Sequence, residues 1–143
     1  MSYKAAAKMK PILCVLELSS DQALSSGDPI GWSVQDGTSG HGVTVSNGVI
    51  TLPSAHKWFA QSQVVLTSVT ACSFDWYVDN SASTTFDSTG IEILTSGGAT
   101  SNVVAHAYVD AADSSTDLEL RSQTNSITAE ADHCFLILIG YPT

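Results

Sequence analysis

Residues 102–141 constrain the fold of this chain more than any other stretch. They read NVVAHAYVDAADSSTDLELRSQTNSITAEADHCFLILIGY. Val103, Ala105, Ala107 and Val109 fall on one phase of an alternating run that ends in the acidic, small-residue turn Asp110-Ala-Ala-Asp-Ser-Ser. Alternation resumes at Thr116, Leu118 and Leu120, and another polar turn leads to an unbroken apolar run at 135–139. Successive side chains of a strand point to opposite faces, so alternation marks a strand with one wet face. An unbroken apolar run marks a strand covered on both faces. In a small β protein the second cover of a closing strand is expected from another subunit.

The rest of the chain repeats this character. Its 143 residues suit one domain with a real core, and no window carries sustained apolar spacing at three and four residues. An all-β, antiparallel sandwich with almost no helix is expected. Strands are expected at 12–18, 30–34, 43–52 as a hairpin, 57–67, 71–78, 90–95, 102–109, 116–121, 127–130 and 133–141. Polar loops are expected at 19–29, 35–42 and 80–89, with a Ser96-Gly-Gly turn after the 90–95 strand. Asn47-Gly48 between two β-branched runs is a two-residue hairpin signal, because both positions tolerate positive φ. Pro53 ends that hairpin.

Charge divides the chain into a basic arm, 1–10, and a β-sandwich domain, 11–143. Lys4, Lys8 and Lys10 lie in the arm, and only Lys57 and Arg121 remain for a body that carries every acid. Such an arm suits docking onto an acidic surface. The net charge of −9 makes nucleic acid and anionic membranes poor partners. No segment approaches the ~20 apolar residues of a membrane span, and 12–18 is short for a secretory leader. Cys14, Cys72 and Cys134 stand singly in apolar strands, which reads as buried thiols in a reducing compartment.

Chemistry is sparse. Asp75 with Asp79, and Asp117 with Glu119, share strand faces, as acids on a wet face commonly do. The Asp110, Asp113 and Asp117 turn could offer oxygens to calcium but has no calcium-loop glycine pattern. His41, His56, His106 and His133 are scattered, so no metal or cofactor is expected. If His106 or His133 faced a symmetry axis, the copies would converge there and could bind an ion or sense pH. Trp32, Trp58, Trp76, Tyr77, Tyr108 and Tyr141 are many large rings for this body, suited to a core or to an interface.

One order of features carries a resemblance. A hairpin delivers the strand Gly48-Val-Ile-Thr-Leu-Pro, which leads to an aromatic-bearing strand at Trp58-Phe59. An alternating strand, an acidic turn, Ser115-Thr116-Asp-Leu118-Glu-Leu120-Arg and a hydrophobic closing strand follow. This order resembles the C1q/TNF-like jelly roll, in particular the C1q-like modules of tailed-bacteriophage structural proteins. His56-Lys57-Trp58-Phe59 stands where that family usually shows Gly-x-Tyr. The resemblance implies two packed sheets, a homotrimer with the closing strand near its threefold axis, and no enzymatic activity. Trp58, Tyr108, Phe135, Ile137, Ile139 and Tyr141 are then the expected trimer interface. The expected role is a capsid decoration (cement) protein on the virion surface, made in the host cytoplasm. Its partners would be itself and the major capsid protein or other virion proteins, with Lys4, Lys8 and Lys10 as the docking arm. The alternative is the receptor- or glycan-binding head of a phage fibre.

Overall fold

The computed structural model describes residues 10–35, 40–67, 71–82, 88–89, 92–94 and 101–143. The strands are β1 (Ile12–Glu17), β2 (Gln22–Leu24), β3 (Ser33–Val34), β4 (Thr44–Ser46), β5 (Val49–Leu52), β6 (His56–Thr67) and β7 (Ala71–Val78). They continue with β8 (Ser81–Ala82), β9 (Ser88–Thr89), β10 (Glu92–Leu94), β11 (Ser101–Ala111), β12 (Thr116–Ser122), β13 (Ile127–Ala129) and β14 (Phe135–Pro142). The larger sheet runs β9-β11-β6-β14-β1-β3, with β13 and β2 beside the far end of β6. The smaller sheet runs β10-β7-β12-β5-β4, with β8 beside β7. Neighbours in both sheets are antiparallel.

Period-two alternation decides what lies between the sheets. Cys14 and Leu16, Leu136 and Leu138, Trp58 and Val64, and Val103 and Val109 point inward from the larger sheet. Ile50, Leu52, Phe74, Trp76, Leu118 and Leu120 meet them from the smaller one, and all belong to one buried cluster. Ala60, Ser62, Ala105 and Ala107 are small inward residues on β6 and β11, which leaves room for the indoles and Phe74. The result is an all-β antiparallel sandwich.

Trp58 was expected at an interface but is fully buried inside this core. Its indole N–H donates to the Pro53 carbonyl at 3.1 Å, and its ring lies against the backbone of Gly140. A Cβ at Gly140 would sit 2.7 Å from two carbons of that ring. The inward phase of β6 therefore fixes Trp58 between the sheets, and its neighbour Phe59 takes the outward phase.

The Asn47-Gly48 turn joins β4 to β5 with φ of 49° and 80°, as its sequence demands. Elsewhere the expected boundaries shift. The 19–29 loop contains β2, held by pairing with β13 and by Gln22, whose amide donates to the Pro29 carbonyl and accepts from the Gly31 N–H. The 30–34 strand contracts to β3, because Ile30 and Trp32 are spent on the core. The 80–89 loop begins as a second tight hairpin, with Asp79 and Asn80 at φ of 48° and 63° between β7 and β8. The closing strand starts at Phe135, after a 3-10 turn at Ala131–His133. The expected 96–98 turn, and Lys4 and Lys8 of the arm, lie outside the described residues. Lys10 is described and exposed.

Candidate self-association face

The outward side of the larger sheet is built in register, row by row. Leu13 on β1 lies beside Ile139 on β14, which lies beside Phe59 on β6, which lies beside Tyr108 on β11. The next row is Val15, Ile137, Gln61 and His106. The third is Glu17, Phe135, Gln63 and Val104. Tyr141, Lys57 and Asp110 close the other end. None of these side chains is fully buried within one chain. Leu13 is 56% exposed, Tyr108 47% and Tyr141 43%.

The row is exposed at its two ends, Leu13 and Tyr108, and partly covered at Ile139 and Phe59 between them, and a contiguous apolar surface of this kind is a candidate contact site. Charge is kept to its ends. Lys57 and Asp110 approach to 4.0 Å, both exposed, so the pair adds little stability. Gln63 donates to the His133 carbonyl at 3.2 Å and tidies the opposite end. The His106 ring stacks on Phe59 with centroids 5.9 Å apart. A shallow cleft of about 410 Å³ opens beside this opposite end, among Val15, Glu17, Gln35, His133 and Phe135.

Five residues singled out in the sequence, Tyr108, Phe135, Ile137, Ile139 and Tyr141, share this face, and Trp58 is on the reverse side. Leu13, Val15, Phe59 and Val104 belong to the same face and were not foreseen. Their signal was in the sequence: each occupies the phase opposite to a buried residue of its own strand.

The other candidate groups are engaged in structure. Asp79 accepts the Asp117 backbone N–H at 2.9 Å, and Asp117 accepts the Thr51 hydroxyl at 2.8 Å. Glu119 grips the Arg121 guanidinium through two bonds of 2.8 and 3.0 Å, which hold Arg121 above its ordinary pKa. That guanidinium lies 4.0 Å from the centre of the Tyr77 ring. Asp110 accepts the Ala112 N–H, fixing the acidic turn. His41 is buried and accepts the Val43 N–H at its Nδ1, His56 packs on Trp58, and His133 sits exposed on the 3-10 turn. Among the described residues, no three His, Cys, Asp or Glu side chains gather as a metal site. Among them, too, no helix is long and apolar enough to cross a membrane. The three cysteines are buried and form no disulfide, and burial pushes the Cys14 thiol up to about 11.

Strand order and sandwich architecture place the chain in the TNF/C1q-like jelly-roll fold class. Among solved structures it is similar to the TNF protein Eiger from S. frugiperda, with a TM-score of 0.73 at 13% identity over 90% of this chain and 91% of that one. Murine APRIL gives 0.66 at 12% identity over 91% and 98%. The globular domain of the zebrafish complement 1qA protein gives 0.65 at 7% identity over 93% and 97%. No protein-family profile matches the sequence, and no curated protein matches it.

Proposed function

We propose that the chain is a non-enzymatic structural module that works as a homotrimer closed through the outward face of the larger sheet. The observation that carries this reading is the row Leu13, Ile139, Phe59 and Tyr108, apolar across four strands, exposed at Leu13 and Tyr108 and only partly covered at Ile139 and Phe59. A ring of identical chains needs one surface half on each copy to meet a different half on the next. Along that row the face supplies two such halves, Leu13 and Ile139 on β1 and β14, and Phe59 and Tyr108 on β6 and β11.

The particular role we propose is capsid decoration: a trimer on a virion surface that docks through its basic arms and ties neighbouring shell subunits. The phage-module resemblance and the placement of Lys4, Lys8 and Lys10 ahead of an acidic body support it. Three linked arms gain ~10²–10⁴ in avidity over one, so modest contacts suffice. A second reading is the receptor- or glycan-binding head of a phage fibre, since one fold serves either role.

Native mass by light scattering tests the common part. A mass of three chains that persists at low micromolar concentration is expected, and a clean monomer overturns the reading. Removing 1–10 then separates the two roles: loss of shell binding by an intact trimer supports decoration, and unchanged binding refutes the arm.

A further inference from the structure

We infer that Gln61 stands at the threefold axis of the assembly, where the side-chain amides of three copies close a ring of hydrogen bonds that specifies three chains. The inference rests on the trimer reading above.

In a closed ring the two contact halves of each chain meet along a line that faces the axis. Here that line is the seam between β14 and β6, where Ile139 lies beside Phe59, Ile137 beside Gln61 and Phe135 beside Gln63. The three pairs form layers about 7 Å apart, two residues of strand. Five of these six side chains are partly covered by their own chain, and Gln61, in the middle layer of the central strand, is exposed. It therefore offers a larger share of its surface to a second copy than any other residue of the seam. Charge stays out of the middle layer: Lys57 and Asp110 close one end of the face, and Glu17 stands on β1 at the other.

Partnership separates the two glutamines of β6. Gln63 donates to the His133 carbonyl at 3.2 Å and accepts from the Asn102 amide at 3.5 Å. Among the described residues, no hydrogen bond of the chain engages the Gln61 side chain. Its cross-strand neighbours are Ile137 on one side and His106 on the other. Covering this amide without giving it a partner would be costly, so the copy that covers the face must also satisfy it.

A side chain on a threefold axis meets copies of itself. Three like charges would repel there, and three apolar side chains would pack without dictating a number. A primary amide carries donor and acceptor together, so each copy donates an N–H to the carbonyl of the next and the third returns to the first. Water held in the layer, or the His106 ring, takes the second N–H. A single polar layer between apolar ones selects the number of chains that satisfies it, as one buried asparagine does in a coiled coil.

The test has two arms, both on the full chain at a concentration where the parent sediments as a trimer. The first compares Gln61→Cys with Thr44→Cys, an exposed position on the opposite sheet, under a short bis-maleimide. The native cysteines are buried, with the Cys14 and Cys134 thiols pushed up, and the parent serves as their control. Gln61→Cys is expected to join chains roughly 10²-fold faster than Thr44→Cys, the ratio of a millimolar effective concentration to tens of micromolar chains. Equal rates in a protein that is still a trimer overturn the axial placement. The second arm is Gln61→Leu, similar in size and without the amide. It is expected to lose the single three-chain species in sedimentation velocity. A Gln61→Leu protein that sediments as one trimer with the parent's dissociation midpoint overturns the specifying ring. A parent that is monomeric throughout overturns the trimer reading itself, an outcome distinct from a trimer whose copies of residue 61 do not meet.

Discussion

Leu13 offers the sharpest test of the face, because a substitution there leaves the core untouched. It projects from β1 on the outward phase, flanked by buried Cys14 and next in register to Ile139. Full burial of a leucine side chain contributes about 1.5–3 kcal/mol, and 56% of Leu13 remains to be covered when copies meet. Leu13→Ser therefore removes roughly 0.8–1.7 kcal/mol per chain, or about 2.5–5 kcal/mol per trimer. At about 1.4 kcal/mol per tenfold, the assembly constant weakens by about 100- to 5,000-fold. The concentration for half dissociation rises as its square root, roughly tenfold to seventyfold. A dilution series followed by sedimentation velocity reads this directly. Far-ultraviolet circular dichroism should remain that of the parent, since exposed substitutions away from special features change stability by only about 0.5 kcal/mol. A trimer whose midpoint moves less than about twofold would show that Leu13 is not at the contact, and the face as assigned here would be wrong.

Two further outcomes concern the core. Gly140→Ala forces a methyl to within 2.7 Å of the Trp58 ring, which is hydrogen-bonded to Pro53 and has little freedom to withdraw. A loss of about 1–3 kcal/mol in urea unfolding is expected, and an unchanged midpoint would mean that the ring slides aside freely. Burial lifts the Cys14 thiol from its ordinary 9.0 to about 11, so in alkali the unfolded chain ionises first. Its contribution is complete below pH 9 and is lost as pH rises toward 11; denaturant midpoints across that range should fall less steeply in Cys14→Ala.

The features visible in the sequence were those whose cause is local. Asn47-Gly48 declares its turn because two successive residues must tolerate positive φ, and the long strands β6, β7, β11 and β12 declare themselves by period two. Asp79-Asn80 makes the same kind of turn, but it was merged with the polar stretch that follows. β2 was invisible because three residues have no periodicity, and its existence depends on β13, about a hundred residues later. The closing strand was read as apolar on both faces. One of those faces is the core, through Leu136 and Leu138, and the other is the half-covered row of Phe135, Ile137 and Ile139. Trp58 was misplaced for a non-local reason: whether an amphipathic ring points in or out depends on its phase against Gly140, a register between strands that neither strand states alone.

Antiparallel pairing of the first strand with the last has a consequence for how this body can be carried. Ile12 lies opposite Gly140, so the chain enters and leaves the sheet on adjacent strands at one pole, about 5 Å apart across the ladder. Anything attached at either end departs from that pole, next to the Tyr141, Lys57 and Asp110 margin of the face. The opposite pole, where β1 ends and β14 begins, carries the 3-10 turn Ala131–His133 and the cleft beside it. Both ends of the described body are thus brought to one pole by the pairing of its first and last strands.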